Sequence, residues 1–295
     1  MRILVSGASG FIGRAFCQEA CRRGHRILAL SRDSSALCQA LPDVEVAQGS
    51  LADTPWDVVS RFAPEAALHL AWIAEPGVYL NSPDNEIWLQ QSKDWFQRLI
   101  ELGVNYVVGT GTCIEYAPSA QPLHEDDTPL GPQFPYSKAK AALFEWMRGL
   151  ADVDRAWFRI FYPYGSGEHP NRYTSVMVRQ LRAGSPLAIN TPNSVRDYIE
   201  VRDVASGLCI ALEARVTGAL NIGTGTGVTI SHIARSISRL LGADERLVQE
   251  KNPPTIDPVP SLIANAAKLR QTGWRPEVGL EEGLERLITL TPFIL

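Results

Sequence analysis

The chain has 295 residues, 45% hydrophobic and 20% charged, with a formal net charge of −4 and a pI near 5.8. That composition allows a globular protein with a sizeable core, and it offers neither the basic stripe that tracks nucleic acid nor a charge run of the kind found in interaction tails. The five cysteines, Cys17, Cys21, Cys38, Cys113 and Cys209, are scattered without CxxC spacing, which fits reduced thiols and neither a disulfide framework nor a metal site. No apolar leader follows Met1 and no run of 18 apolar residues occurs. A cytoplasmic protein with no membrane and no nucleic acid among its partners is therefore expected.

In chain order, short apolar runs alternate with helical patterns. "RILVSG" precedes a helix over 11–23, "RILAL" a polar stretch, "AALHLA" a helix over 86–102, "NYVVGTG" a helix over 137–150, and "AWFRIF" follows. This alternation predicts an α/β fold, a doubly wound parallel Rossmann-type sheet wrapped by helices. Gly24 and Gly103 stand where C-terminal glycine caps belong, and Ile87, Gln91, Trp95, Leu99 and Leu102 mark the apolar face of the helix over 86–102. After residue 165 the chain turns to Pro, Gly, Asn and Arg with shorter elements, and it ends in amphipathic helices near 230–242 and 280–290. The expected organisation is a dinucleotide-binding domain over 1–165, rejoined by strands near 195–225, and a smaller C-terminal substrate-binding domain over 166–295.

"LVSGASGFIGRAF" sets Gly7, Gly10 and Gly13 between the first strand and a helix that opens at Phe11 and Ile12. Glycines there tighten the turn and let backbone approach a pyrophosphate, while the helix N-terminus supplies N–H groups to it. The second strand runs out at Arg32. A guanidinium can pair with the 2′-phosphate of NADP, whereas a site for NAD presents a carboxylate, which Asp33 supplies if the register slips by one. NADP is favoured and NAD is possible.

In "PYSKAKAALFEW" the interval of four puts Tyr136 and Lys140 on one helix face. A phenol with its ordinary pKa of about 10 is a poor base, and a neighbouring ammonium is expected to pull that value down. The pair suits proton transfer at an alkoxide, and the lysine can also hold a nicotinamide ribose. Upstream, "VVGTGTCIEYA" reads as the fourth strand, which brings Thr110 and Thr112 to the carboxyl edge of the sheet beside the glycine turn.

With these motifs, "HLAW" at 69–72, "RIFYPYGSGE", "VRDYIEVRDVA" and "LNIGTG" in the same order, the chain resembles the extended short-chain dehydrogenase/reductase family, the nucleotide-sugar epimerases, dehydratases and ketoreductases. The resemblance implies that Thr112 holds a substrate carbonyl, Tyr136 is the general acid and Lys140 tunes it. It adds Ser50, Leu51, Leu70 and Ala71 to the cofactor wall, and Tyr162, Arg172 and Arg196 to the substrate side. Arg196 matches a diphosphate ligand of relatives, with a surface ion pair to Glu200 as the alternative. The chain departs from the family at "GSL" (Gly49 to Leu51), where an acid is common, and at Tyr162 and Pro163, where an Asn is common. His169 could reach substrate or be merely solvated, and Cys113 could be a second acid/base or only pack.

The resemblance implies an NADP(H)-dependent reductase of a nucleotide-linked 4-keto-6-deoxy sugar, with a C4 epimerase as the alternative. A 4,6-dehydratase is disfavoured because Cys113 and Ile114 follow Thr112 where such enzymes carry Asp and Glu. A non-catalytic redox sensor would have no need of Thr112, Tyr136 and Lys140 together. A homodimer through the helices at 86–102 and 137–150 is also implied, with Trp88, Trp95, Phe144 and Trp146 as its aromatic surface.

Overall fold

The structure, a computed structural model, describes residues 1–290. Its centre is a parallel sheet of seven strands: β1 (Arg2–Ser6), β2 (Arg26–Ser31), β3 (Glu45–Gln48), β4 (Ala66–His69), β5 (Tyr106–Thr112), β6 (Asp154–Ile160) and β7 (Gly218–Ile222). Their spatial order is 7-6-5-4-1-2-3. β1 pairs with both β2 and β4, so the strand order reverses at β1 and opens a crevice at the carboxyl ends there.

The helices are α1 (Phe11–Arg22), α2 (Ser34–Ala40), α3 (Trp56–Phe62), α4 (Asp84–Glu101), α5 (Pro135–Arg148), α6 (Tyr173–Arg182), α7 (Val201–Glu213), α8 (Ile230–Leu241), α9 (Ala267–Gln271) and α10 (Leu280–Leu290). Alternate strand residues point to opposite faces. Ile3, Val5, Ile27 and Ala29 accordingly join Phe16 of α1, Leu37 of α2 and Leu208 of α7 in one core. Leu4, Leu28, Leu30 and Val107 join Val59 of α3, Phe96 of α4 and Leu143 of α5 in the other. Both faces are covered, which is why the inner strands read as nearly unbroken apolar runs.

Beyond the sheet, α6, α8 and α10 pack around Met177, Leu181, Ile233, Ile237 and Leu284. In α8 the buried Ile230, Ile233, Ala234 and Ile237 recur at helical spacing. Thr229 caps its start by accepting from His232 N at 3.1 Å, and Gly242, at φ +63°, ends it. Short strand pairs complete this layer, among them Val195–Arg196 between Val228–Thr229 and Ser261–Leu262.

Several local expectations need correction. The segment ending at Thr112 is the fifth strand, because β3, only four residues at the sheet edge, precedes it. In α4 the buried stripe is Leu89, Ser92, Trp95, Phe96 and Leu99, and Ile87 is 56% exposed; two residues from Leu89, it lies about 200° round the helix. The α4/α5 aromatic surface is smaller than expected: Trp95 is 1% exposed, while Trp88, Trp146 and Phe144, which stacks on Trp157 at 5.7 Å, are half-buried. Among the described residues no helix is long and apolar enough to cross a membrane.

Candidate active site

At the crevice lies a cleft of 660 Å³, lined by the glycine turn, the ends of β2, β4 and β5, the start of α5 and Arg172. Gly7 takes φ +74°, and a Cβ there would stand 2.5 Å from the backbone N of Ala71. A Cβ at Gly13 would collide with the Gly7 carbonyl. Only glycine therefore lets the turn close against β4 and α1 and leave room for a ligand. α1 has no side-chain cap and no acid in its first turn, so its leading N–H groups and positive dipole end face the cleft. Gly10, Phe11 and Ile12 line it there, Leu70 and Ala71 at the end of β4, and Thr110 at the end of β5. These features fit the pyrophosphate of a dinucleotide.

The register question after β2 has a structural answer. Arg32 lines the cleft with Ser50 and Leu51. Asp33 is instead the N-cap of α2, its Oδ1 accepting from Ala36 N at 3.1 Å and Ser35 Oγ at 2.9 Å. No ion pair or hydrogen bond of the Arg32 guanidinium occurs among the described residues.

Thr112 and Tyr136 both line the cleft, as does Lys140. Pro135 at the first position of α5 and the Ser137 hydroxyl, which accepts from Phe134 N at 3.1 Å, fix where this helix begins. Tyr136 N donates to Leu80 O at 3.1 Å, and Tyr79 packs edge-on against the Tyr136 ring at 4.8 Å. Lys140 Nζ donates to Thr110 O at 2.8 Å and lies 3.9 Å from the centre of the Trp72 ring.

The expected electrostatics is reversed by the protein's own cleft wall. Burial pushes the Tyr136 phenol up, with Tyr79, Glu115 and Cys113 adding to it and Arg172 opposing. Burial pulls Lys140 down to about 7, against the charge of Glu115. The low-dielectric wall outweighs the mutual effect of the pair.

Thr112 stands on a buried network. Its N–H donates to Glu115 Oε1 at 2.8 Å, while Glu115 Oε2 accepts from Arg159 Nε at 2.8 Å and Trp157 Nε1 at 3.1 Å. Arg159 is sandwiched between the Tyr116 and Phe144 rings. Glu115 is 0% exposed and is held away from the cleft by these partners. Beneath Lys140, His69 is buried and held well below its ordinary pKa, by burial first and by the Lys140 charge second. Ser92 Oγ donates to Trp88 O at 2.6 Å and so accepts from His69 Nε2 at 2.9 Å, which leaves Nδ1 to accept from Ser6 Oγ at 2.7 Å.

Two expected substrate residues are not on the cleft wall. Arg196 is 8% exposed and pairs with Asp257 at 2.5 Å, while Glu200 pairs with Arg202. The expected surface ion pair with Glu200 is therefore absent among the described residues: Arg196 is buried and its acid is Asp257. Tyr162 lies behind, under Arg196 at 5.5 Å and beside Tyr198 at 5.7 Å. Arg172 does line the cleft, whereas His169 is exposed and its Nδ1 accepts from Asn171 N at 3.1 Å. Burial pushes the Cys113 thiol up to about 12, which makes it a packing residue. Trp72, Tyr79, Trp88 and Gln91 also line the cleft; the sequence reading gave none of them that place, setting Gln91 on a helix face and Trp88 on a dimer surface. Trp72 had a signal, its place just past a strand end; Tyr79 had none.

Residues 3–223 match the model of the NAD dependent epimerase/dehydratase family. The chain is 29% identical to a UDP-glucose 4-epimerase of Bacillus subtilis, with 96% of this chain and 94% of that one covered. It is 24% identical to a dTDP-4-dehydro-6-deoxyglucose reductase of Escherichia coli, with 97% and 96% covered. A Thermus thermophilus UDP-glucose 4-epimerase solved with NAD superimposes with a TM-score of 0.85 at 24% identity, over the whole of both chains.

Proposed function

Because the chain belongs to the NAD dependent epimerase/dehydratase family, we propose that this enzyme is an NADP(H)-dependent reductase of a nucleotide-linked 4-keto-6-deoxy sugar. The observation that carries the choice is Arg32 on the cleft wall while Asp33 is taken up as a helix cap. A bound nicotinamide dinucleotide would supply the hydride. The chain's own part is binding, orientation and the proton. Gly7, Gly10, Gly13 and the N-terminus of α1 would hold the pyrophosphate, Arg32 the 2′-phosphate, and Ser50, Leu51, Leu70 and Ala71 the remaining wall. Thr112 Oγ1 would hold the substrate carbonyl oxygen, and the Tyr136 phenol would give that oxygen its proton as the C–H bond forms. A phenol kept protonated by burial suits this direction of reaction. Arg172, the guanidinium on the substrate side of the cleft, would meet the nucleotide diphosphate.

Nucleotide-sugar C4 epimerisation is the second reading. It is favoured by the UDP-glucose 4-epimerases among the relatives. The two separate on one measurement: with NADPH and a 4-keto-6-deoxy sugar nucleotide, the reductase consumes one NADPH per 4-hydroxy product. A protein that carries bound NAD and interconverts two 4-hydroxy sugar nucleotides without net change in reduced nicotinamide is an epimerase instead. A homodimer through the outer faces of α4 and α5 belongs to the same proposal, supported by the exposed Ile87 and half-buried Trp146; a monomer in ultracentrifugation at micromolar concentration would remove it.

A further inference from the structure

We propose that Trp72 is a positioning residue for Lys140: its indole face caps the ammonium and leaves one N–H direction for a ligand. This rests on the reading above, in which Lys140 holds the cofactor's ribose. An ammonium has three N–H groups. One of them goes to Thr110 O at 2.8 Å. A second direction is filled by the Trp72 ring, whose centre is 3.9 Å from Nζ, well inside the roughly 6 Å over which tryptophan, the strongest aromatic partner, attracts a cation. What remains faces the cleft that both residues line.

The ring is held in place. Trp72 Nε1 donates to Asn85 Oδ1 at 2.8 Å. Asn85 is 1% exposed and is fixed in turn by donating to the carbonyls of Tyr79 and Ser82 at 2.8 Å each. Trp88 packs on the indole at 6.2 Å. The first two turns of α4 thus reach the lysine of α5 through one side chain.

Few other groups act on the amine's charge. From β4 it meets His69, which is neutral. From the turn after β5 it meets Glu115, whose carboxylate is already paired with Arg159. Tyr136 of its own helix, Tyr79 of the preceding loop and Arg172 at the start of α6 complete the ionisable wall. Burial drives the amine toward neutrality, so a face that favours the cation matters most near neutral pH.

The test is calorimetric titration of the protein with NADPH from pH 4.5 to 9.5. If the ammonium holds the ribose, Kd is flat below the amine's pKa in the free protein and climbs above it. Trp72→Leu should move that break down by about 0.5 to 1.5 pH units, the size of a cation–π contact expressed as a pKa. Trp72→Phe, which keeps a ring face, should fall between. Trp72→Met, also without a π face, should match the leucine variant and replaces it if that one does not fold. Affinity that falls equally at every pH, with the break unmoved, would make the indole only a wall and overturn the proposal. A break that survives in Lys140→Met would overturn it as well, together with the ribose role. Failure of the native protein to bind either NADPH or NADH would instead remove the functional reading on which it rests.

Discussion

From Gly7 to Leu51 the cleft wall is backbone and strand ends, whereas from Trp72 to Arg172 it is side chains held by other side chains. On the first side the turn is set by φ at Gly7, α2 by its own aspartate, and Ser50 N by the Asp53 carbonyl at 3.1 Å. On the other, Thr112 depends on Glu115, which depends on Arg159 and Trp157, and Tyr136 leans on Tyr79 and Trp72. The cofactor side is therefore preorganised by the sheet itself. The substrate side is a product of packing, so its chemistry and its stability should be more easily separated from cofactor affinity by mutation.

Tyr136→Phe is the sharpest way to break that separation. Loss of a general acid costs about 10² to 10⁴ in rate, and kcat should fall by that much while the Kd for NADPH stays within about twofold. A tenth of the native rate in the phenylalanine variant would assign the proton to another group. Glu115→Leu probes the support rather than the chemistry. It leaves Arg159 buried without its anion, which should cost about 3–5 kcal/mol in urea denaturation. Below the amine's pKa the folded fraction should still bind NADPH normally, and a variant that lost stability and cofactor affinity together there would show that the two sides are one unit.

Arg32→Ala acts on the cofactor side alone. An exposed guanidinium on a phosphate is worth about 1.5–3 kcal/mol when well formed, so NADPH affinity should fall about tenfold to a hundredfold with NADH little changed. Equal affinity of the native protein for NADPH and NADH would mean that Arg32 does not meet a 2′-phosphate.

The same contrast explains what could be read from residues alone. The glycine turn, the Tyr136/Lys140 interval and the strand ends are local patterns, each complete within a dozen residues, and every residue they named except Asp33 lines the cleft. Even the choice between Arg32 and Asp33 had a local signal, since aspartate three residues before Ala36 is a preferred helix cap. Long-range partners left none. Asp257 is 61 residues from Arg196, and Tyr79 sits in a loop without periodicity, so neither the masking of that arginine nor the ring on the Tyr136 phenol could be foreseen. β3 escaped because four residues at a sheet edge are too few to carry a pattern.

Lys140 stands where the two sides meet, and its burial gives the smallest of the expected effects. Burial pulls its amine down to about 7 from the ordinary value of about 10.5, so between those limits the unfolded chain holds a proton that the native state has released. Stability must then rise with pH across that window; the penalty of burying the charge is complete below pH 7 and fades above it. From pH 7 to 9 the gain should be on the order of 2 kcal/mol. Raised thiols such as Cys113 and raised phenols such as Tyr136 act in the opposite direction as pH climbs further, so the quantity to measure is the difference between native protein and Lys140→Met, in which those contributions cancel. Denaturation midpoints taken without cofactor should show native protein gaining on the methionine variant from pH 7 to 9. A constant gap would mean that the amine keeps its proton when folded, as it would if the Trp72 face and Glu115 together outweighed burial.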